Sequence, residues 1–139
     1  MNNVFNYAKT YPIQLESSYK YTGRAGTCKY SSAAGKIKVA GIVNITPKSP
    51  SALMAAVAKT NVAIALCASS SSFMYYKSGI LSSTSCGTCL NHAVNVIGYG
   101  TSNGTPFWLI RNSWGTSWGE SGYMRILRKT TSDAGICGL

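Results

Sequence analysis

The chain has one histidine, His92, and about twenty residues later an asparagine, Asn112, that opens the run Asn112-Ser113-Trp114-Gly115-Thr116-Ser117-Trp118-Gly119. An imidazole whose far ring nitrogen is held by a carboxamide oxygen has a fixed tautomer and ring plane. That is what a base needs to keep a neighbouring thiol as thiolate. The pair points to covalent catalysis with a sulfur nucleophile. Each residue also has a plain reading: a lone histidine near a strand end is more often a core or surface residue than a catalyst, Asn112 could serve a turn, and Trp114 and Trp118 could be core aromatics. What favours chemistry is the joint occurrence of His, Asn and two indoles placed to cover them from water.

Two apolar runs, Val94 to Tyr99 and Phe107 to Ile110, read as strands around Thr101-Ser102-Asn103-Gly104-Thr105, whose Asn-Gly marks a tight reversal. A hairpin returns Asn112 to the side of His92. Parity matters here: a strict two-residue turn would put the two on opposite faces, and a longer loop or a one-residue bulge restores a shared face. The longer loop is the expectation.

The motifs resemble the C-terminal part of the papain family of cysteine proteases, of the cathepsin L-like kind. They include Met1-Asn2-Asn3-Val4-Phe5, Leu15-Glu16-Ser17-Ser18-Tyr19, Gly26-Thr27-Cys28, Tyr76-Lys77-Ser78-Gly79-Ile80, Asn91-His92-Ala93-Val94, Gly98-Tyr99-Gly100, the Asn112 to Gly119 run and Gly135-Ile136-Cys137-Gly138-Leu139, and they span essentially the whole chain. The resemblance implies an α+β, papain-like fold: mainly the antiparallel β-barrel-like right domain (residues 35–139, carrying His92 and Asn112), plus a stub of the helical left domain (residues 1–34).

It also implies a cysteine endopeptidase in which His92 is the base, Asn112 orients it, and Trp114 shields their hydrogen bond by lowering the local dielectric. Met1, Ala65, Leu90 and Ala93 match positions that line the pocket for the substrate's second side chain. All four are apolar, so an apolar or aromatic side chain is expected there. Asn91 stands where the family usually has Asp, which removes a negative charge beside the imidazolium. The family's Gln-x-x-x-Cys-Gly-x-Cys-Trp segment, with nucleophile and oxyanion-hole glutamine, is absent from this sequence. Under the resemblance the chain starts mid-domain and stops short of the last strand segment. A missing N-terminal half or second chain would carry the nucleophile, and this chain alone would not hydrolyse its peptide or protein substrates.

Five cysteines are present. The resemblance pairs Cys86 with Cys137 and leaves Cys28 to a partner outside the chain. A loop of about fifty residues closed by Cys86–Cys137 stabilises by very roughly 4 kcal/mol in the chain-entropy model. Such a bond implies an oxidising compartment, lysosomal or secreted for the parent enzyme, and the acceptor triplets Asn44-Ile45-Thr46 and Asn103-Gly104-Thr105 lean the same way. Cys67 and Cys89 lie outside the family framework. The spacing Cys86-x-x-Cys89-x-x-His92 could offer three ligands to zinc, a minor alternative because Cys86 is already committed; no metal or other cofactor is expected.

Thirteen basic residues against three acidic give a net charge of +10. The lysines and arginines are scattered, with no run beyond Arg128-Lys129, so they make no phosphate-tracking stripe and no nucleic-acid partner is expected. The longest apolar run, Val62 to Ala68, is far below the roughly 18 residues that span a bilayer, so no membrane segment is expected. A function of a different class would be a catalytically inactive, truncated protease-like domain kept as a structural or binding subunit of a larger assembly.

The remaining elements follow from local pattern. Asn3 can cap a helix over Val4 to Lys9, and Ser49-Pro50 starts another that ends near Asn61. Gly35 to Ile45 alternates like a half-buried strand, Val62 to Ala68 reads as a strand buried on both faces, and Gly122 to Leu127 is a further strand. Ala68 to Ser72 reads as a loop.

Overall fold

The computed structural model describes all of Met1–Leu139, in two compact units, Met1–Asn44 and Ile45–Leu139. The division falls later than position 35 because Gly35 and Ile37 pair with strand residues Gln14 and Ile13 of the first unit.

In the first unit, helix α1 (Asn2–Thr10) buries one residue, Ala8. Asn3 lies inside the helix, Met1 holds the cap position, and no side chain caps it, so the expected Asn3 cap is not used. Strands β1 (Ile13–Gln14) and β2 (Gly35–Ile37) form a short antiparallel pair. A Cβ at Gly35 would lie 2.7 Å from both the Cβ and the carbonyl oxygen of Pro12, so this close approach requires glycine. The alternation over Gly35 to Ile45 predicts a longer strand than is found. Ladder pairing ends at Ile37 because its partner β1 is two residues long, and Val43 is left 90 % exposed. Tyr7, Tyr11 and Tyr30 cluster with ring centroids 4.9 to 6.1 Å apart.

The second unit begins with helix α2 (Pro50–Val57), started by Ser49, whose side chain accepts from the Ala52 N–H, and by proline at the first helical position. Then come β3 (Val62–Leu66), the short helix α3 (Ser71–Met74), β4 (Ile80–Leu81), β5 (His92–Ser102), β6 (Thr105–Arg111) and β7 (Tyr123–Leu127). They form one sheet in the order β3-β5-β6-β7-β4, antiparallel except for the parallel pair β4 and β7. Val62 to Leu66 is less buried than its composition suggests, with only Leu66 enclosed, because β3 is a sheet edge. The Ser-rich stretch read as a loop over Ala68 to Ser72 is loop through Ser70, and its last two residues open α3, with Ser70 capping the Phe73 N–H and Phe73 fully buried. Phe73, Leu66, Val96, Ile110, Met124, Ile126 and Ile136 form the dry centre of the core. No helix is long and apolar enough to cross a membrane.

Candidate active site

The β5–β6 hairpin closes through a two-residue loop, Asn103 (φ 47°) and Gly104 (φ 76°), both left-handed as a type I′ turn requires. The expected longer loop is not there. The shared face comes from a bulge at Ile97: Gly98 pairs with Leu109 and Val96 with Ile110, leaving Ile97 without a partner. That one extra residue shifts the ladder by half a pleat, so His92, Val94 and Val96 share a face with Ile110 and Asn112.

His92 and Asn112 meet there, Nε2 to Oδ1 at 2.8 Å. The Ser113 backbone N–H donates to the same Oδ1 at 2.8 Å. Since that N–H can only donate, the Asn112 atom facing it is oxygen, and His92 Nε2 carries the proton. The neutral ring then has its lone pair on Nδ1, which makes no hydrogen bond within the chain. Trp114 stacks near the imidazole, centroids 4.9 Å apart and planes tilted 34°. Phe73 meets the imidazole edge-on at 6.2 Å and Trp114 edge-on at 5.5 Å. Asn112 is 9 % exposed, so the hydrogen bond lies in a poorly solvated place.

Trp118 is buried and packs at 5.5 Å from both Phe73 and Trp114, while its Nε1–H donates to the Met74 carbonyl at 3.0 Å. Below it, Glu120 holds Arg125 with two bonds, of 2.7 and 3.0 Å, and accepts the Gly79 N–H at 2.9 Å. The bonds from Arg125 keep the Glu120 carboxyl below its ordinary value. Tyr76 joins this group, donating to the Gly79 carbonyl at 2.6 Å and accepting the Arg125 N–H at 3.2 Å. Burial raises the Tyr76 phenol, which keeps it neutral.

Of the residues matched to a substrate pocket, Ala65 and Ala93 are direct ladder partners, and Leu90, 66 % exposed, lies just before β5. Met1 belongs to the first unit and is exposed there. Cys86 is bonded to Cys137, and Cys67 to Cys89; Cys28 is free and exposed. The zinc alternative loses its ligands, because both sulfurs of Cys86-x-x-Cys89 are spent in disulfides.

Phe73 was not legible as a site residue, and Asn91, legible as the neighbour of His92, was not legible as a tie between the two strand ends. Asn91 secures the approach to His92, its N–H donating to the Leu66 carbonyl at 3.1 Å and its Oδ1 accepting the Ala68 N–H at 2.9 Å. The Ser-x-x-Phe spacing of Ser70 and Phe73 was the available signal for the first, being a cap followed by an apolar residue.

Residues 1–139 match the family model described as papain family cysteine protease. A cysteine endopeptidase of Oryza sativa subsp. japonica is 42% identical over 143 residues, covering 100% of this chain and 38% of the relative. A cathepsin L-like proteinase of Fasciola hepatica is 40% identical, covering 100% and 43%. The solved bromelain protease from Ananas comosus, in complex with the E64 inhibitor, superposes with a TM-score of 0.88 at 38% identity, covering 96% of this chain and 62% of that one. The chain thus spans about two fifths of the length of the curated relatives it matches.

Proposed function

Since the chain belongs to the papain family of cysteine proteases, we propose that it supplies the base and its orienting amide to a cysteine endopeptidase whose nucleophile lies on another polypeptide segment. The observation that carries this is the His92 Nε2 to Asn112 Oδ1 bond of 2.8 Å beneath Trp114, with Nδ1 free.

In the proposed reaction a thiolate from the other segment, paired with the imidazolium at Nδ1, attacks the scissile carbonyl. His92 then gives its Nδ1 proton to the leaving amine. In the second half it takes a proton from the water that attacks the thioester. Asn112 accepts from Nε2–H throughout, so the ring keeps its plane as its charge changes. Ala65, Leu90 and Ala93 would form an apolar wall for a substrate side chain. A lysosomal or secreted setting for the parent enzyme is supported by the two disulfides.

The test is co-expression with the N-terminal part of the rice endopeptidase, followed by an epoxide inhibitor of the E64 type. Labelling of the supplied cysteine that is lost in His92→Ala is the expected result. Equal labelling with His92→Ala, or none with a well-formed complex, would leave only a structural or binding subunit.

A further inference from the structure

The Cys67–Cys89 disulfide sits at the end of the ladder that carries the imidazole. Leu66, the last residue of β3, pairs with His92, the first of β5. Cys67 follows Leu66, and Cys89 precedes His92 by three residues, in the exposed, irregular stretch 87–91. No ladder lies beyond the Leu66–His92 pair. The two Asn91 hydrogen bonds, a 3.7 Å contact from Ser69 Oγ to the Cys89 sulfur and this disulfide join the two segments there, while Cys86–Cys137 anchors the start of the stretch.

The two disulfides differ in access. Cys86 and Cys137 are 3 % and 1 % exposed; of the other pair Cys67 is also buried, at 3 %, but Cys89 is exposed to solvent. Ser69 Oγ lies 3.4 Å from the Cys67 sulfur and 3.7 Å from the Cys89 sulfur, close enough to donate to a thiolate formed there.

We propose that the Cys67–Cys89 disulfide is a positioning device for His92, fixing the strand end from which the imidazole reaches Asn112, and that small thiols can open it while the fold stands. This rests on reading His92 as the base of the proposed enzyme. The step balances as an exchange: a thiolate attacks the sulfur of the exposed residue Cys89, the S–S bond breaks, and Cys67 leaves as thiolate and is protonated. A second thiol then attacks the mixed disulfide, giving the Cys89 thiol and one oxidised small-molecule disulfide. Two thiols are consumed for two protein thiols formed. Without the staple, the end of segment 87–91 next to His92 is tied to the Leu66–Ser69 side by hydrogen bonds of Asn91 and Ser69 alone, and opening at the start of β5 carries His92 away from Asn112.

The experiment uses the chain itself, treated with increasing dithiothreitol, alkylated and mapped by mass, with the His92 Nε2–H followed by NMR. Alkylation at Cys67 and Cys89, with Cys86–Cys137 intact, is expected first. In that form the circular dichroism should be unchanged while solvent exchange of the His92 Nε2–H rises about tenfold or more and returns on reoxidation. The Cys67→Ser/Cys89→Ser double variant should show the same rise without thiol. The proposal is overturned if both disulfides open together, or if exchange is the same in the selectively reduced form. Because the readout is a ring proton and not peptidase activity, it can fail while the proposed function stands, and the reverse also holds.

Discussion

His92 and Asn112 share a face only because Ile97 is left over. The twenty-residue separation and the two-residue Asn103-Gly104 turn would set them on opposite sides of the ribbon, and the bulge cancels the mismatch. Val94 and Val96 stay in the core by the same shift, so core packing and site geometry depend on one irregularity.

Removing Ile97 should therefore be tolerated. Its deletion leaves Val96 opposite Ile110 and Gly98 opposite Leu109 in an unbroken ladder, with His92 still facing Asn112. The deleted chain should remain folded and keep a slowly exchanging His92 Nε2–H in its NMR spectrum. A folded protein without that signal would mean the bulge also sets the twist the site needs.

Trp114→Ala separates shielding from stability. The indole is 39 % exposed, so its loss should change unfolding free energy by no more than about 1–2 kcal/mol. It covers the imidazole at 4.9 Å, so exchange of the Nε2–H should rise about tenfold, equivalent to about 1.4 kcal/mol. Trp114→Phe should recover part of the protection.

Much of the site was legible because it rests on periodicity: two apolar runs and an Asn-Gly turn brought His92 to Asn112. The way parity is restored was not legible, since a bulge and a longer loop satisfy the same alternation. The strand over Gly35 to Ile45 failed for a different reason, because alternation reports a half-buried surface but not whether a partner is long enough to pair with it. Cysteine connectivity inside the chain is likewise not written in spacing, and Cys67–Cys89 emerged only from the fold. The buried Phe73 hid among serines, where a single apolar residue carries no period.

Phe73→Ala tests the joint between core and site. Phe73 is fully buried and touches His92, Trp114 and Trp118. Truncation should cost about 3–5 kcal/mol in chemical unfolding. Phe73→Leu, which keeps most of the volume, should cost under about 1.5 kcal/mol if the ring's role is filling space. A larger loss in the leucine variant would show that its edge contacts with the imidazole and indole matter in themselves.

Acid should expose the group beneath Trp118. Glu120 is held below its ordinary value of 4.5 chiefly by its hydrogen bonds from Arg125, with the Gly79 N–H adding to them. A carboxyl depressed in the folded state stabilises fully above its unfolded value, and that stabilisation disappears as pH falls through the folded value. Asp133, lowered to about 2 by Lys129, Gly135 and Thr131, follows the same sign at still lower pH. Unfolding free energy should hold above about pH 5 and decline as pH falls below 4.5. Glu120→Gln keeps the shape but loses the charge, and at pH 7 should cost about 1–2 kcal/mol, as expected for a partly exposed bidentate pair with one backbone donor. The informative measurement is the difference between wild type and variant in denaturant titrations from pH 7 to pH 3. That difference should shrink as the wild-type carboxyl is protonated, whereas a constant gap would place the loss in packing around Gly79 and Tyr76 and not in the ion pair.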